Sequence, residues 1–345
     1  MKSMVGLRVV RILILSLAGA GVATGQSSQP ISLVQPAGTG RVVYRSDPAW
    51  KIRGLGLLDE GTRPVLELAN QEQKMSLSYL MFVNDTGKHD SESCRKAVVG
   101  PILTRLGEIA AVKNSRAGTY TTKSGKVLAT HSYLLSGYGE MKMEQQNLFG
   151  FFGDASTCFE VHVSKVSYEP GDQAMMEAEL DRFAFDAGYQ PTTMDYFQQA
   201  EILFRALQKP GAAAFYYRAA LDSVPVEGMD ARQVMQRRVL TDQLVMSYGM
   251  TEQFKKSREL ATQAIQLDPE YPLNYYNLAC ADAEQGHAAD ARAHLQQAFD
   301  RKANVLPGEK MPDPARDSSF QKLKKDAAFW TFVQGFSTPM ELRKR

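Results

Sequence analysis

Between Leu244 and Ala298 the chain repeats itself at a fixed interval: Leu244, Ser257, Ala261 and Ala264 return 34 residues later as Leu278, Ala291, Leu295 and Ala298. A unit of that length cannot bury an apolar face alone, so copies must stack and share one continuous core. Two antiparallel helices per copy meet this demand if small residues sit where their backbones cross and large ones fill the gaps to the next copy. Ala279, Ala291 and Ala298 supply the small positions, and Tyr275, Leu278, Leu295 and Phe299 the large ones. Gly286 falls where the chain turns between helices, and Asp268-Pro269 closes the preceding copy.

The segment Tyr271 to Phe299 resembles the tetratricopeptide repeat, and Arg238 to Glu270 is a weaker copy in which Val245 replaces the small residue the family prefers. Phe197, Ala200, Phe204, Ala213, Tyr217, Ala220 and Pro225 mark a third copy upstream, separated from the second by extra residues around Val226 to Met235. The resemblance implies a right-handed helical stack with a concave surface that holds peptides or protein segments. Carried onto this chain, its groove side shows Gln198, Ile202 and Arg205, then Asp242, Met246 and Met250, then Tyr276, Cys280 and Glu284. The family's Lys, Arg and Asn cluster for a C-terminal carboxylate does not appear at these positions. The bland alternative is that these residues form the packed inner face of a spacer.

A stack open at its end would present apolar surface to water, and the chain continues with material suited to closing it. After the proline-rich Pro307 to Pro314 come Asp317-Ser-Ser-Phe320 and Asp326-Ala-Ala-Phe329, with Leu323, Phe329, Trp330 and Val333 as the expected capping face.

The first 25 residues follow a different logic. Lys2, Arg8 and Arg11 precede an apolar run, Ile12 to Val22, about half the length needed to span a bilayer. With Ala23 and Gly25 flanking Thr24, the segment reads as a signal peptide cleaved before Gln26, the alternative being an uncleaved anchor. Its removal takes three basic residues from 40 and leaves 37 Lys and Arg against 38 Asp and Glu. A chain so balanced lacks the electrostatic footprint of a nucleic-acid or anionic-membrane binder.

Between Ile31 and Gln190 the period changes to that of strands. Met75, Leu77, Tyr79, Met81 and Val83 alternate with Ser76, Ser78, Leu80 and Phe82, and Asn84 to Gly87 supplies a turn. A helix beginning near Ser91 or Ser93 follows, carrying Val98, Ile102, Leu106 and Ile109, with Pro101 inside it. Strands are expected at Gly118 to Thr122, Val127 to Ser136, Gln146 to Phe152 and Thr157 to Tyr168, then a second helix at Gly171 to Asp186. The pattern predicts an α+β domain, an antiparallel sheet with two helices on one face. Its element order resembles the small sheet-plus-helix fold of the extrinsic photosystem subunit P family, which implies a fold and no function.

Chemistry is sparsely signed. None of the five histidines sits in a metal-ligand pattern, no GxSxG elbow occurs, and Gly54-Leu-Gly56 lacks the rest of a dinucleotide fingerprint. Glu160 and His162 share one strand face and could reach one ion, the alternation favouring a solvated polar face instead. His287 and His294 are expected to face solvent. Asn84-Asp-Thr86 matches a glycosylation acceptor, relevant only in a eukaryotic secretory pathway. Cys94, next to Arg95 and Lys96, is either structural or reactive.

Export permits a disulfide. Cys280 lies between Ala279 and Ala281 at an inward position of a repeat helix, where a thiol packs as a small apolar group. Cys94 and Cys158 are therefore expected to pair, the alternative being two separate buried thiols.

Taken together, residues 1–25 are a signal peptide, 31–190 the α+β domain, 193–301 an all-α stack of tetratricopeptide-like hairpins, and 302–345 a capping helix and tail. The expected function is that of an exported, non-enzymatic scaffold, periplasmic or secreted. Its partner is a protein or peptide segment bound through Gln198, Arg205, Asp242, Met246, Tyr276 and Glu284. Neither a cofactor nor a metal is expected, nor nucleic acid, nor stable membrane insertion after cleavage. The rival reading is a small-molecule-binding or hydrolytic N-terminal domain supported by the repeats, which needs a pocket of convergent polar groups.

Overall fold

The computed structural model describes residues 30–336 except 37, 46, 59, 60, 62, 84–87, 89, 109, 139, 140, 155 and 156. The expected signal peptide, the Asn84 turn and glycosylation acceptor, and Ile109 lie outside the described residues. The chain divides between Pro191 and Thr192 into two compact units.

The first unit contains β1 (Ile31–Val34), β2 (Arg41–Tyr44), β3 (Lys51–Leu58), β4 (Arg63–Asn70), β5 (Met75–Val83), α1 (Ser91–Gly107), β6 (Ala111–Thr121), β7 (Val127–Tyr138), β8 (Met141–Gly153), β9 (Thr157–Val166), α2 (Gln173–Leu180) and β10 (Phe183–Asp186). Seven strands form an antiparallel sheet in the order β3-β4-β5-β9-β8-β7-β6, and three more form a sheet in the order β1-β2-β10. Alternation decides which residues face which way. Met75, Leu77, Tyr79 and Met81 of β5 are fully buried beside Phe159, Val161 and Val163 of β9. The second sheet and α2 cover this face: Phe183 stacks on Tyr79, and Phe185 lies against Phe152 and Phe159. Gly150 admits α2 closely, since a Cβ there would stand 3.1 Å from Leu180 Cδ2.

The opposite face receives α1. Cys94, Val99 and Leu106 pack on Phe82, Tyr133, Leu135, Phe149 and Phe151. Asp90 starts the helix by accepting the Ser93 N–H at 2.6 Å, relieving one unpaired donor of the first turn. Cys94 and Cys158 are bonded, with Cα atoms 5.7 Å apart, tying the first turn of α1 to β9. Gly153 makes room for this join, because a Cβ there would overlap Cys94 Sγ.

This architecture corrects the expected antiparallel sheet with two helices on one face: the unit is strand-rich, with ten strands in two sheets among the described residues, and its helices lie on opposite faces of the larger sheet. The physical reasons are local. β3 is interrupted by Gly54 and Gly56, β4 opens on Arg63-Pro64, and β6, of which only the end from Gly118 was expected, is an exposed edge with no apolar alternation in its first half. The expected second helix stops at Leu180; Phe183 and Phe185 alternate inward as a strand, although Phe183 also continued the helical spacing.

The second unit is helical: α3 (Thr193–Glu201), prolonged by a π-helical turn over Ile202–Ala206, α4 (Pro210–Asp222), α5 (Ala231–Met250), α6 (Phe254–Leu267), α7 (Pro272–Glu284), α8 (Ala288–Asp300), α9 (Ser318–Gln321) and α10 (Ala327–Gln334). Helices α3 to α8 form three successive hairpins of tetratricopeptide-like arrangement. Capping boxes at Thr192/Asp195 and Asp230/Gln233 begin α3 and α5, and Pro210 and Pro272 begin α4 and α7. Ala200, Ala213, Ala220, Ala261, Ala279, Ala291 and Ala298 are wholly buried at the crossings. Gly286 turns between α7 and α8 at φ +80°, a conformation that favours glycine. Phe320, Phe329 and Val333 join the core of the third hairpin, with Leu323 and Trp330 packed at its margin. Among the described residues, no helix is long and apolar enough to cross a membrane.

Candidate functional site

The first helices of the hairpins, α3, α5 and α7, carry the residues named from the repeat, and these residues are in three different states. On α3, Gln198, Ile202 and Arg205 are exposed. The Arg205 guanidinium is paired with Glu201, whose other oxygen accepts the Tyr217 hydroxyl at 2.6 Å, so the cation is held in place yet open to solvent.

On α5, Asp242 and Met246 are half-buried and Met250 is exposed. Asn277 of α7 donates to Asp242 Oδ1 at 2.7 Å, linking the second and third hairpins. Burial nevertheless pushes the Asp242 carboxyl up to about 6, and the nearby Glu309 adds to this while Asn277 and Arg205 oppose it.

On α7 the inner face is already filled. Tyr276 is buried, its hydroxyl donating to Asp317 Oδ2 at 3.0 Å while Phe320 meets its ring edge-on at 5.6 Å. Glu284 is paired with Lys322, and Tyr271 donates to Glu309 Oε1 at 2.9 Å. Cys280 is a free, partly buried cysteine whose thiol lies 3.7 Å from Asp317 Oδ2. Burial, reinforced by Asp317, pushes that thiol well above its usual range, so it stays protonated and unreactive. The chain's own residues 309–322 thus lie on α7 as a segment bound there, held by an acid at Asp317 and an aromatic at Phe320.

Arg205, Asp242 and Glu309 therefore act on one neighbourhood, whereas Gln198 is remote from Tyr276 and Glu284 in hairpin order. Sequence reasoning assigned Asp317 and Phe320 to an end cap and missed their second role over α7. No spacing in the sequence signals it, since Asp317 is the N-cap of the four-residue α9 and its contact with Tyr276 spans 41 residues.

Other constellations are already satisfied. Asp282, His287 and Asp290 bring ligand atoms together, but Arg258 occupies the group, pairing with Asp282, reaching Asp290 at 3.5 Å and meeting His287 Nδ1 at 3.1 Å. His294 contacts the other Asp282 oxygen at 2.7 Å. In the first unit, Glu160 is buried and His162 half-buried, in place of the expected solvated face. The cause is aromatic cover: Phe149 stacks on the His162 ring at 4.0 Å, and Phe151 pairs with Glu160 across the strands. Asn147 Oδ1 lies 3.0 Å from His162 Nε2. Burial pushes Glu160 up to about 7, against the pull of Arg63, and pushes His162 down to about 4.

A cavity of about 220 Å³ lies on the opposite face between α2 and β6 to β8. The polar groups around it bond to one another: Arg116 to Ser132, Tyr120 to Asp181, Gln173 to Glu177.

No family model matches the chain, and no curated protein matches it significantly. Several solved structures are similar to it in part. The C-terminal tetratricopeptide-containing domain of a Plasmodium falciparum FK506-binding protein shares 18% identity over 39% of this chain and 90% of that one, with a TM-score of 0.30. The Sgt2 tetratricopeptide domain from Aspergillus fumigatus shares 14% over 42% and 79%, with a TM-score of 0.30. A multi-domain immunophilin from Arabidopsis thaliana shares 10% over 72% and 98%, with a TM-score of 0.27. Overlaps this low carry no functional argument, and the hairpin assignment rests on the helices themselves.

Proposed function

We propose that this protein is an exported, non-enzymatic scaffold that binds a segment of a protein partner on the inner faces of α3 and α5. The observation that carries the reading is the unequal state of the three hairpins. The third already holds a peptide segment, the chain's own, through a hydroxyl–carboxylate bond and an aromatic contact. The first two leave Gln198, Ile202, Arg205 and Met250 exposed. An exposed aliphatic group, an adaptable methionine and an oriented guanidinium suit a segment with apolar and acidic side chains. Replacing Ile202 by Asp together with Arg205 by Glu is expected to abolish co-purification of partners from the native host. Recovery of the same proteins by both forms would defeat the reading.

The export part rests on the N-terminal residues alone. Terminal sequencing of protein from the exported fraction is expected to begin at or near Gln26, and finding Met1 there would reject cleavage. The rival small-molecule reading gains nothing from the 220 Å³ cavity, where the polar groups pair among themselves instead of converging on a ligand.

A further inference from the structure

A second cavity, of about 250 Å³, lies in the helical unit among α4, α5, α6 and the first turn of α7. At about 30 Å³ per water that is room for roughly eight waters, or for one apolar amino acid. Three arginines line it: Arg218 on α4, Arg237 and Arg238 on α5. Two of them are matched by carboxylates. Arg218 reaches Asp222 at 3.6 Å, and Arg238 holds Asp268 by two bonds of 2.6 and 3.1 Å while its guanidinium stacks over Tyr271.

Arg237 is different. Its hydrogen bond runs to a neutral acceptor, the Val224 carbonyl, at 3.1 Å. Asp222 acts on it through space but pairs with Arg218 instead. A half-buried guanidinium with no carboxylate within pairing distance among the described residues is costly, and a bound anion removes that cost. Three arginines against Asp222 and Asp268 leave a single positive charge, which calls for a monoanion. The rest of the wall holds three polar residues, Thr241, Gln263 and Asn274, against a larger apolar part that includes Leu221, Leu260 and Ala264, so the anion carries an aliphatic body.

We infer that this cavity binds a monocarboxylate bearing an aliphatic side chain, with Arg237 as the carboxylate's partner. The site is built from α4, α5 and α6, and so stands or falls independently of the proposed inner-face groove. The chemistry is shared by a free acyl amino acid and by the last residue of a peptide.

Calorimetric titration of the full chain tests it with four probes: N-acetyl-leucine, N-acetyl-leucinamide, inorganic phosphate, and a tetrapeptide ending in leucine with a free carboxylate. Saturable binding of N-acetyl-leucine at millimolar concentration is expected, at least about tenfold tighter than either the amide or phosphate, as a charge-assisted bond requires. If the tetrapeptide binds tighter than N-acetyl-leucine, the natural source is a peptide end; if weaker, it is a free carboxylate, and either result upholds the site. Arg237→Met keeps the aliphatic stem and is expected to weaken binding by about tenfold or more, while Arg237→Lys restores most of it. Equal affinity for acid and amide, unchanged binding by R237M, or no saturable binding of N-acetyl-leucine would overturn the inference.

Discussion

The two units bury their polar groups in opposite ways. In the helical unit, enclosed charges other than Arg237 are matched locally: Asp282 sits between Arg258 and His294, and Arg238 holds Asp268. In the strand-rich unit, Glu160 is enclosed by Leu80 and Phe151 as cross-strand neighbours, and its Oε2 has no hydrogen-bond partner. The first unit also has a covalent tie that the second lacks, between residues 64 positions apart. A repeat places each charge one helix from its partner, so matching is easy. A sheet assembled from distant strands puts Glu160 wherever alternation dictates, and the unit is held instead by burial and a cross-link. Stability of the first unit should therefore respond to redox and that of the second should not, while the second responds to pH through Asp242, losing stability as pH rises from about 4 to about 6.

The two tryptophans allow the units to be followed separately, since Trp50 is buried in the first and Trp330 packs on the core of the second. The largest contrast should come from reduction. Opening a 64-residue loop removes about 4 kcal/mol in the chain-entropy model. In a Trp330→Phe variant, denaturation followed by Trp50 should shift strongly to lower denaturant on adding a reductant. In Trp50→Phe, the Trp330 transition should stay in place. Equal shifts of both signals would erase the distinction.

A smaller contrast concerns pH. Folding raises Glu160 from 4.5 to about 7, so the folded state holds a proton that the unfolded state has released, and stability falls as pH rises across that window. His162 is lowered from 6.5 to about 4, so its contribution falls as pH drops below 6.5. The slopes oppose one another and nearly cancel between about 4.5 and 6.5. Glu160→Gln should leave the His162 slope alone and stabilise the first unit at pH 8 by about 3 kcal/mol. A Trp50 transition with the same pH dependence in wild type and E160Q would contradict this assignment.

What could be read beforehand follows the same division. Ala279, Ala291 and Ala298 recur at a fixed period because neighbouring copies impose the same packing, so the hairpins are written in local spacing. The sheet order is not: nothing near β5 indicates that β9 lies beside it, a pairing set by the whole arrangement of strands. The exposure of the repeat positions on α3 and α5 was legible, Arg205 and Met250 among them. Over α7 it was not, because a segment some forty residues downstream returns to Tyr276, and helical periodicity carries no record of such a contact.

The central claim is that the inner faces of α3 and α5 receive a partner segment, and site-specific photo-crosslinking tests it most directly. A benzophenone amino acid placed at Ile202, on α3, is compared with one at Lys255, an exposed position on α6. The account predicts a discrete cross-linked partner from position 202 and none from 255, with the 202 product lost when Arg205 is replaced by Glu. Cross-links of equal yield from both positions, or from 255 alone, would contradict it.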